Sequence, residues 1–438
     1  MTSLTITPFF DKYMIYGPPK SGKSGEIINS LLSLTKSRSY SEKEILVVKH
    51  FLEDKEYPNH IVSFDKKQFS AKEVEKAEDI VSLINENPMV ELIFISGVNF
   101  FEDSSIKELI QEIANSNRKV VMSGIALTDK GEPYNHMDKL MAIANEYVKL
   151  YGTCNQCGEP ATKSGRSDNG KYCALCSIHA NFKDKYKYNP FFADHKPLLR
   201  LIVGPMYASK TETLMDYINE VIKRNESADK KEDFILFKAQ IDKRYMTPGE
   251  KPKVKSHNLR EFEAIPISDA REIHEYLEKH SETRHIFIDE GQFISNLYEV
   301  VTEHYYRGLN ITISALARDF RGEPFGEDIP KLLTQADEII NRRAYCTHHI
   351  YNDSAPCRWP ATETQRYIKY DKDIVPARYD DPVVIVGSKG NENVKEFYEA
   401  ACILHHTILN KPKPVFGIEP LKKNKNSNTQ TKPNELKI

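Results

Sequence analysis

Gly17-Pro18-Pro19-Lys20-Ser21-Gly22-Lys23-Ser24 places two glycines, a lysine and a hydroxyl in the spacing of a phosphate-binding loop. In such a loop backbone N–H groups cradle phosphate oxygens at a helix N-terminus, so Lys23 is expected at the β- and γ-phosphates and Ser24 at Mg²⁺. A second run, Gly204-Pro205-Met206-Tyr207-Ala208-Ser209-Lys210-Thr211, keeps the lysine and a hydroxyl but has Ser209 where the first has Gly22. A serine enters a left-handed backbone conformation only at a cost of about 1–2 kcal/mol, which predicts a strained or slightly reshaped second loop.

Phosphoryl transfer to an alcohol also needs an acid for the metal shell and a carboxylate base. Asp289-Glu290 supplies both directly after the apolar run Ile286-Phe287-Ile288, whereas the first half has Ser96-Gly97 after Ile93-Phe94-Ile95. The better phosphate loop therefore stands in the half without an obvious acid or base.

The seven cysteines are an odd number, which argues against a closed disulfide framework and for metal ligation in a reducing compartment. Cys154-x-x-Cys157 and Cys173-x-x-Cys176 read as the two knuckles of a tetrahedral zinc ribbon. Cys346, Cys357, Cys402 and His405 make a second set of four, with Cys402-x-x-His405 as one knuckle. His348 or His349 stands open as a substitute for Cys346. The expectation is two structural Zn²⁺ per chain.

These groups need elements to hold them. Met14-Ile15-Tyr16 and Leu201-Ile202-Val203 are short apolar runs suited to buried parallel strands, and each leads into its glycine loop. Ile27, Leu31 and Leu34, and Leu214, Ile218, Val221 and Ile222, then fall on one face of a helix. Further strands are read at Ile45–Val48, Leu92–Ile95 and Val120–Met122, and again at Phe234–Phe237, His285–Ile288 and Ile311–Ser314. Strands alternating with helices predict an α/β fold with a parallel sheet.

The pattern occurs twice. Tyr16-Gly17-Pro18 recurs as Val203-Gly204-Pro205, Gly131-Glu132-Pro133-Tyr134 as Gly322-Glu323-Pro324-Phe325, and Pro160-Ala161-Thr162 as Pro360-Ala361-Thr362, in the same order. We read two homologous domains, residues 1–190 and 195–410, each a P-loop-type parallel sheet with an appended zinc ribbon. Residues 411–438 carry seven lysines without apolar periodicity and are expected to be disordered.

The chain of 438 residues suits two or three domains at about 150 residues each. Its 61 basic and 63 acidic residues leave a formal charge of -2, no global field for a nucleic-acid partner. With 40% hydrophobic and 28% charged residues, and no apolar run of about 18 residues, the sequence is that of a cytoplasmic globular protein without a membrane partner.

Taken together, the motifs resemble the zinc-containing thymidine kinases of animals, bacteria and large DNA viruses, and the resemblance covers the second half nearly end to end. It is carried by the loop from Gly204 to Thr211, by Phe237-Lys238 with Asp242-Lys243-Arg244-Tyr245, by Val254-Lys255-Ser256-His257-Asn258, and by Asp289-Glu290-Gly291-Gln292-Phe293. Arg318-Asp319-Phe320-Arg321-Gly322-Glu323-Pro324-Phe325-Gly326, the run from Tyr379 to Gly387, and Tyr398 with Cys402 complete it. The resemblance implies ATP-dependent phosphorylation of the 5′-hydroxyl of thymidine in nucleotide salvage, with deoxyuridine a further acceptor.

By matched position it implies ATP phosphates and Mg²⁺ on Gly204, Ser209, Lys210 and Thr211, with Asp242 and Arg244 near the triphosphate and Asp289 in the metal shell. Glu290 is the implied general base. Phe293, Phe320 and Phe325 would line the thymine slot, closed by main-chain groups at Val384, Val386 and Gly387 and by the Tyr398 ring. Departures are Ser209, the insertion before Cys357, Ala315-Leu316-Ala317, and extra residues between Gly387 and Tyr398.

The first half resembles a degenerate copy. Glu56 stands for Arg244, Phe64 for His257, Ser96 and Gly97 for Asp289 and Glu290, and the short span from Cys157 to Cys173 implies loss of the nucleoside-closing loop. Gly17, Gly22, Lys23 and Ser24 remain candidates for ATP. Because the family forms tetramers, a homo-oligomer or an internal pseudo-dimer of the two halves is expected. Two other readings are a catalytically inactive nucleotide-binding regulator and another P-loop phosphotransferase or ATPase.

Overall fold

The computed structural model describes residues 4–180, 196–228, 231–242, 252–255, 260–348, 357–370, 373–384 and 394–421. In the first half, strands β1 (Lys12–Tyr16), β2 (Ile45–His50), β3 (Lys72–Val74), β4 (Leu92–Ser96), β5 (Lys119–Gly124) and β6 (Glu146–Lys149) form one sheet. Its order is β3-β2-β4-β5-β1-β6, and every pairing is parallel. The second half repeats it with β7 (Leu199–Val203), β8 (Asp233–Ala239), β9 (Ile265–Ile267), β10 (Thr283–Asp289), β11 (Asn310–Ala315) and β12 (Glu338–Asn341). The order β9-β8-β10-β11-β7-β12 is again wholly parallel. The inner strands are almost continuously buried, as sheets covered on both faces require.

Eight helices cover these sheets among the described residues: α1 (Lys23–Lys36), α2 (Ala77–Glu86), α3 (Ser105–Asn115), α4 (Met137–Ile143), α5 (Lys210–Ser227), α6 (Glu272–Lys279), α7 (Leu297–Tyr306) and α8 (Asp328–Gln335). The expected faces are the buried ones, with Ile27 and Leu31 in α1 and Leu214, Ile218 and Val221 in α5. Helices α4 and α8 form the joint between the halves. Leu140 to Ile143 and Leu332 to Gln335 are buried all round, because the two helices pack against each other and join both halves into one core cluster.

Polar contacts seal that joint. Asn145 donates to Glu363 at 3.1 Å, Asn341 to the Asn145 carbonyl at 2.7 Å, and Arg318 to the Ala144 carbonyl at 2.6 Å. Arg318 also pairs with Glu363 at 3.1 Å.

The zinc-ribbon segments follow each sheet. In the first half Gly152–Thr153 pairs with Pro160–Ala161, and Lys163–Arg166 with Tyr172–Leu175. In the second, Ala344–Tyr345 pairs with Pro360–Ala361, and a three-stranded antiparallel sheet of Asp373–Pro376, Glu363–Tyr370 and Val394–Ala401 stands where the first half has its short hairpin.

The expected disordered tail is corrected at its start. Residues 411–421 lie along the first half, where Phe416 and Gly417 N–H groups donate to the Glu112 carboxylate at 3.0 Å each and Val415 N–H to the same group. Arg118 donates to the Glu419 carbonyl at 2.8 Å, and Ile418 is buried in the shared core. A carboxylate on α3, the Arg118 guanidinium and one buried isoleucine help dock a segment whose composition alone reads as unstructured. Residues 422–438 lie outside the described residues.

Candidate active site

Both phosphate loops leave the C-terminal end of a strand flanked on each side by a parallel neighbour, the crevice position expected of an open α/β sheet. Each opening residue has to be glycine. A Cβ on Gly17 would stand 2.3 Å from the Leu150 carbonyl oxygen, and one on Gly204 would stand 2.2 Å from that of Arg342. Gly22 (φ 92, ψ 14) and Ser209 (φ 53, ψ 34) are both left-handed and both precede their helix. The second loop thus keeps its shape and carries the strain that Ser209 predicts. Lys23 donates to the carbonyls of Gly17 at 3.1 Å and Pro18 at 2.7 Å, and Lys210 to that of Pro205 at 2.8 Å. Burial pushes Lys23 down to about 8, opposed by the Glu53 carboxylate. The backbone N–H of Met206 donates to Thr364 at 3.1 Å, so the second loop is also held by the three-stranded sheet that lies between Cys357 and Cys402.

Asp289 ends β10, two strands away from β7, and still meets the phosphate loop. Thr211 Oγ1 donates to its Oδ1 at 3.2 Å, and Ser314, on the intervening β11, donates to the same oxygen. One carboxylate and two hydroxyls are hard oxygen donors of the kind Mg²⁺ prefers, so these residues fit that ion. Glu290 follows in a left-handed conformation (φ 56, ψ 43) that costs a non-glycine residue about 1–3 kcal/mol, a type of strain concentrated at functional sites. Gln292 holds it in place, donating to Glu290 Oε2 at 2.6 Å while accepting the Leu316 N–H at 3.0 Å. Ser314 and Gln292 were missed as site residues, although both stand in runs that the sequence already marks.

Beside Gln292 a cavity of about 570 Å³ is lined by Phe293, Tyr298, Phe325, Ile241 and Val384. Phe293 and Phe325 meet edge to face with ring centroids 5.5 Å apart. Phe320 and Tyr398 do not line this cavity. Phe320 is buried with Ile368, Ala377 and Ile408, under the Arg366 guanidinium at 4.9 Å. Tyr398 pairs in register with Arg366, and burial raises its phenol. Asp242 is 3.4 Å from the buried Lys238. Arg244, Val386 and Gly387 lie outside the described residues, as does His349.

The thiols gather into two clusters. Cys346, Cys357, Cys402 and His405 form one as expected, with ligand atoms all within 4.8 Å of one another. His348 stacks on the His405 ring at 4.2 Å rather than replacing Cys346. The other is corrected: Cys154, Cys157 and Cys176 are joined by His179, not Cys173. Cys176 Sγ is 3.2 Å and Cys154 Sγ 3.7 Å from His179 Nδ1. Cys173 sits on the hairpin strand opposite Gly165, buried but outside the cluster. The signal was available, since Cys176-x-x-His179 repeats the spacing of Cys402-x-x-His405. Zinc–sulfur bonds of about 2.3 Å give tetrahedral edges near ~3.8 Å, so both Cys₃His sets fit zinc.

A thymidine kinase family model matches residues 12–188 and 198–406, taking in both sheets, both phosphate loops and both clusters. The chain belongs to the thymidine kinase family. Membership supports a nucleoside kinase in general, a phosphotransferase drawing on ATP. Among solved structures, EssC (ATPases 2 and 3) from Geobacillus thermodenitrificans is 10% identical over 82% of this chain and 88% of that one. The TM-score of that pair is 0.20. No helix among the described residues is long and apolar enough to cross a membrane.

Proposed function

We propose that the second half phosphorylates the 5′-hydroxyl of thymidine from ATP, with deoxyuridine a further acceptor. The observation that carries this reading is the run Asp289-Glu290 beside the phosphate loop, with Thr211 3.2 Å from Asp289 and with Gln292, which donates to Glu290, lining an aromatic cavity together with Phe293 and Phe325. Lys210 and the loop N–H groups hold the triphosphate. Thr211, Asp289 and Ser314 would hold Mg²⁺, which when bound offsets charge on the β- and γ-phosphates. Glu290 takes the proton from the 5′-hydroxyl as that oxygen bonds to the γ-phosphorus and the bond to the β-phosphate oxygen breaks, releasing ADP. A pyrimidine fits a slot walled by two edge-to-face rings.

The first half lacks both carboxylates at Ser96 and Gly97, and the reading gives it no transfer activity. Its packing against the second half through α4 and α8 supports an internal pseudo-dimer. An ADP-release assay run across the four deoxynucleosides and deoxyuridine tests the proposal. Thymidine should stimulate release most; stimulation by none of them would refute it.

A further inference from the structure

The first half contains a carboxylate that its degenerate motifs do not explain. Lys49 and Lys238 are both buried near the ends of equivalent strands, and four residues later stand Glu53 and Asp242. In the second half the shorter Asp242 turns back to Lys238 at 3.4 Å. In the first, Lys49 donates to the carbonyls of Asp54 at 3.0 Å and Tyr57 at 2.8 Å, and Glu53 turns elsewhere.

It turns onto Gly97. A Cβ built there would have both the Cβ and the Oε2 of Glu53 at 3.2 Å. Gly97 (φ 75, ψ 32) holds the place and the left-handed backbone of Glu290 (φ 56, ψ 43). The Glu53 carboxylate therefore lies against the spot from which the second half's proposed base departs. The hydroxyl framework of the second half has its counterpart in the first, with Ser24 at the position of Thr211, Ser123 at that of Ser314, and Ser96 at that of Asp289.

One oxygen of this carboxylate is unsatisfied. Neither the buried Oε2 of Glu53 nor the buried Oγ of Ser96 makes a hydrogen bond of good geometry. A buried oxygen of this kind costs free energy until it finds a donor or a cation, and each one in a folded protein calls for an explanation. Burial raises the Glu53 carboxyl, and the Ser96 hydroxyl and the Lys23 and Lys49 ammonium groups pull it part of the way back. A divalent cation would remove the cost at Oε2, while a triphosphate would give Lys23 a partner better than the loop carbonyls it now meets.

We propose that the first half binds a nucleoside triphosphate together with a divalent cation, and that Glu53 is the carboxylate that holds the cation. The proposal rests on reading Gly17 to Ser24 as a phosphate loop and is independent of whether the second half acts on thymidine. Glu53 takes over the metal-holding role that Ser96 cannot fill, and no second carboxylate remains at Gly97 to accept a hydroxyl proton. The site retains its ligand and does not turn it over.

Equilibrium dialysis of a non-hydrolysable ATP analogue against the full-length chain tests this. With Lys210→Ala silencing the second loop, one analogue per chain should bind with Mg²⁺, more weakly in EDTA, and none once Lys23→Ala is added. Adding Glu53→Gln instead should weaken binding with Mg²⁺ by about 10- to 100-fold and leave binding in EDTA unchanged. Glu53→Asp should recover part of the loss. An unbound Lys210→Ala chain, equal affinity with Mg²⁺ and in EDTA, or indifference to Glu53→Gln would each overturn it. If Glu53→Gln does not fold, the comparison of Mg²⁺ with EDTA in the Lys210→Ala chain still decides whether a cation is held.

Discussion

Lys163 of the first half lies 3.1 Å from Asp337 of the second, in an ion pair almost wholly removed from solvent. Asp337 also accepts from Thr162 at 2.6 Å and from Tyr305 at 2.7 Å, and the Lys163 ammonium sits 4.8 Å above the Tyr305 ring. Removing one partner of a buried pair leaves the other charged and unpaired, at a cost of about 3–5 kcal/mol. Asp337→Ala should lower the stability of both halves together by that amount in urea unfolding. A loss under about 1 kcal/mol would show that the halves do not depend on this contact.

A nearby lysine predicts a pH response. Burial, reinforced by Lys163 and opposed by Asp337, pushes Lys149 from 10.5 down to about 7. Between those values the unfolded chain binds a proton that the folded chain does not, so stability climbs as pH rises through the window. Below about pH 7 the cost of burying the charge is present in full. The melting midpoint of Lys149→Met should exceed that of the natural chain most at pH 7 and converge on it toward pH 10. Parallel curves would remove Lys149 from this role.

Glu290→Gln keeps size and shape, including an acceptor for Gln292, and removes the capacity to take a proton. The turnover number should fall by about 10²–10⁴ while thymidine binding changes little. Near-normal turnover would require another base.

Two zinc ions per chain are expected from metal analysis. His179→Ala should leave one, because His179 completes the set with Cys154, Cys157 and Cys176. Cys173→Ser should leave two. The opposite result for this pair would restore the four-cysteine ribbon that the C-x-x-C spacing alone suggests.

The contrast between His179 and Cys173 marks what was legible in the sequence. Whatever depends on neighbours along the chain could be read: strands leading into Gly17 and Gly204, helical faces at Leu214 and Ile218, acids after Ile288. The second copy supplied a check, and comparing Cys402-x-x-His405 with the first half would have found His179. Contacts between distant segments left no such trace. Nothing in the periodicity of α4 or α8 says that each is the other's cover, and no local pattern points Glu53 toward Gly97 or docks Phe416 beside Glu112. Phe320 stands in a family motif, yet its partners Ile368 and Ile408 come from segments brought together only by the later sheet.

The two phosphate loops leave two ways of assembling a catalytic centre. If each half works by itself, Lys210, Asp289 and Glu290 act on one ATP, and Lys23 takes no part in transfer. A composite centre would instead place ATP on Lys23 and Ser24 and draw Asp289 and Glu290 from across the joint. Transfer requires reacting atoms within about 3–3.5 Å, so the acid and base must serve the loop they touch. Asp289 touches its own loop, accepting from Thr211 at 3.2 Å, and Ser314 between the two strands fixes that geometry. In the corresponding place of the first half the carboxylate against Gly97 is that half's own Glu53. Lys210→Ala should therefore abolish thymidine phosphorylation, and Lys23→Ala should leave the turnover number within a few-fold of normal in the same assay. An active Lys210→Ala chain beside an inactive Lys23→Ala chain would establish the composite centre instead.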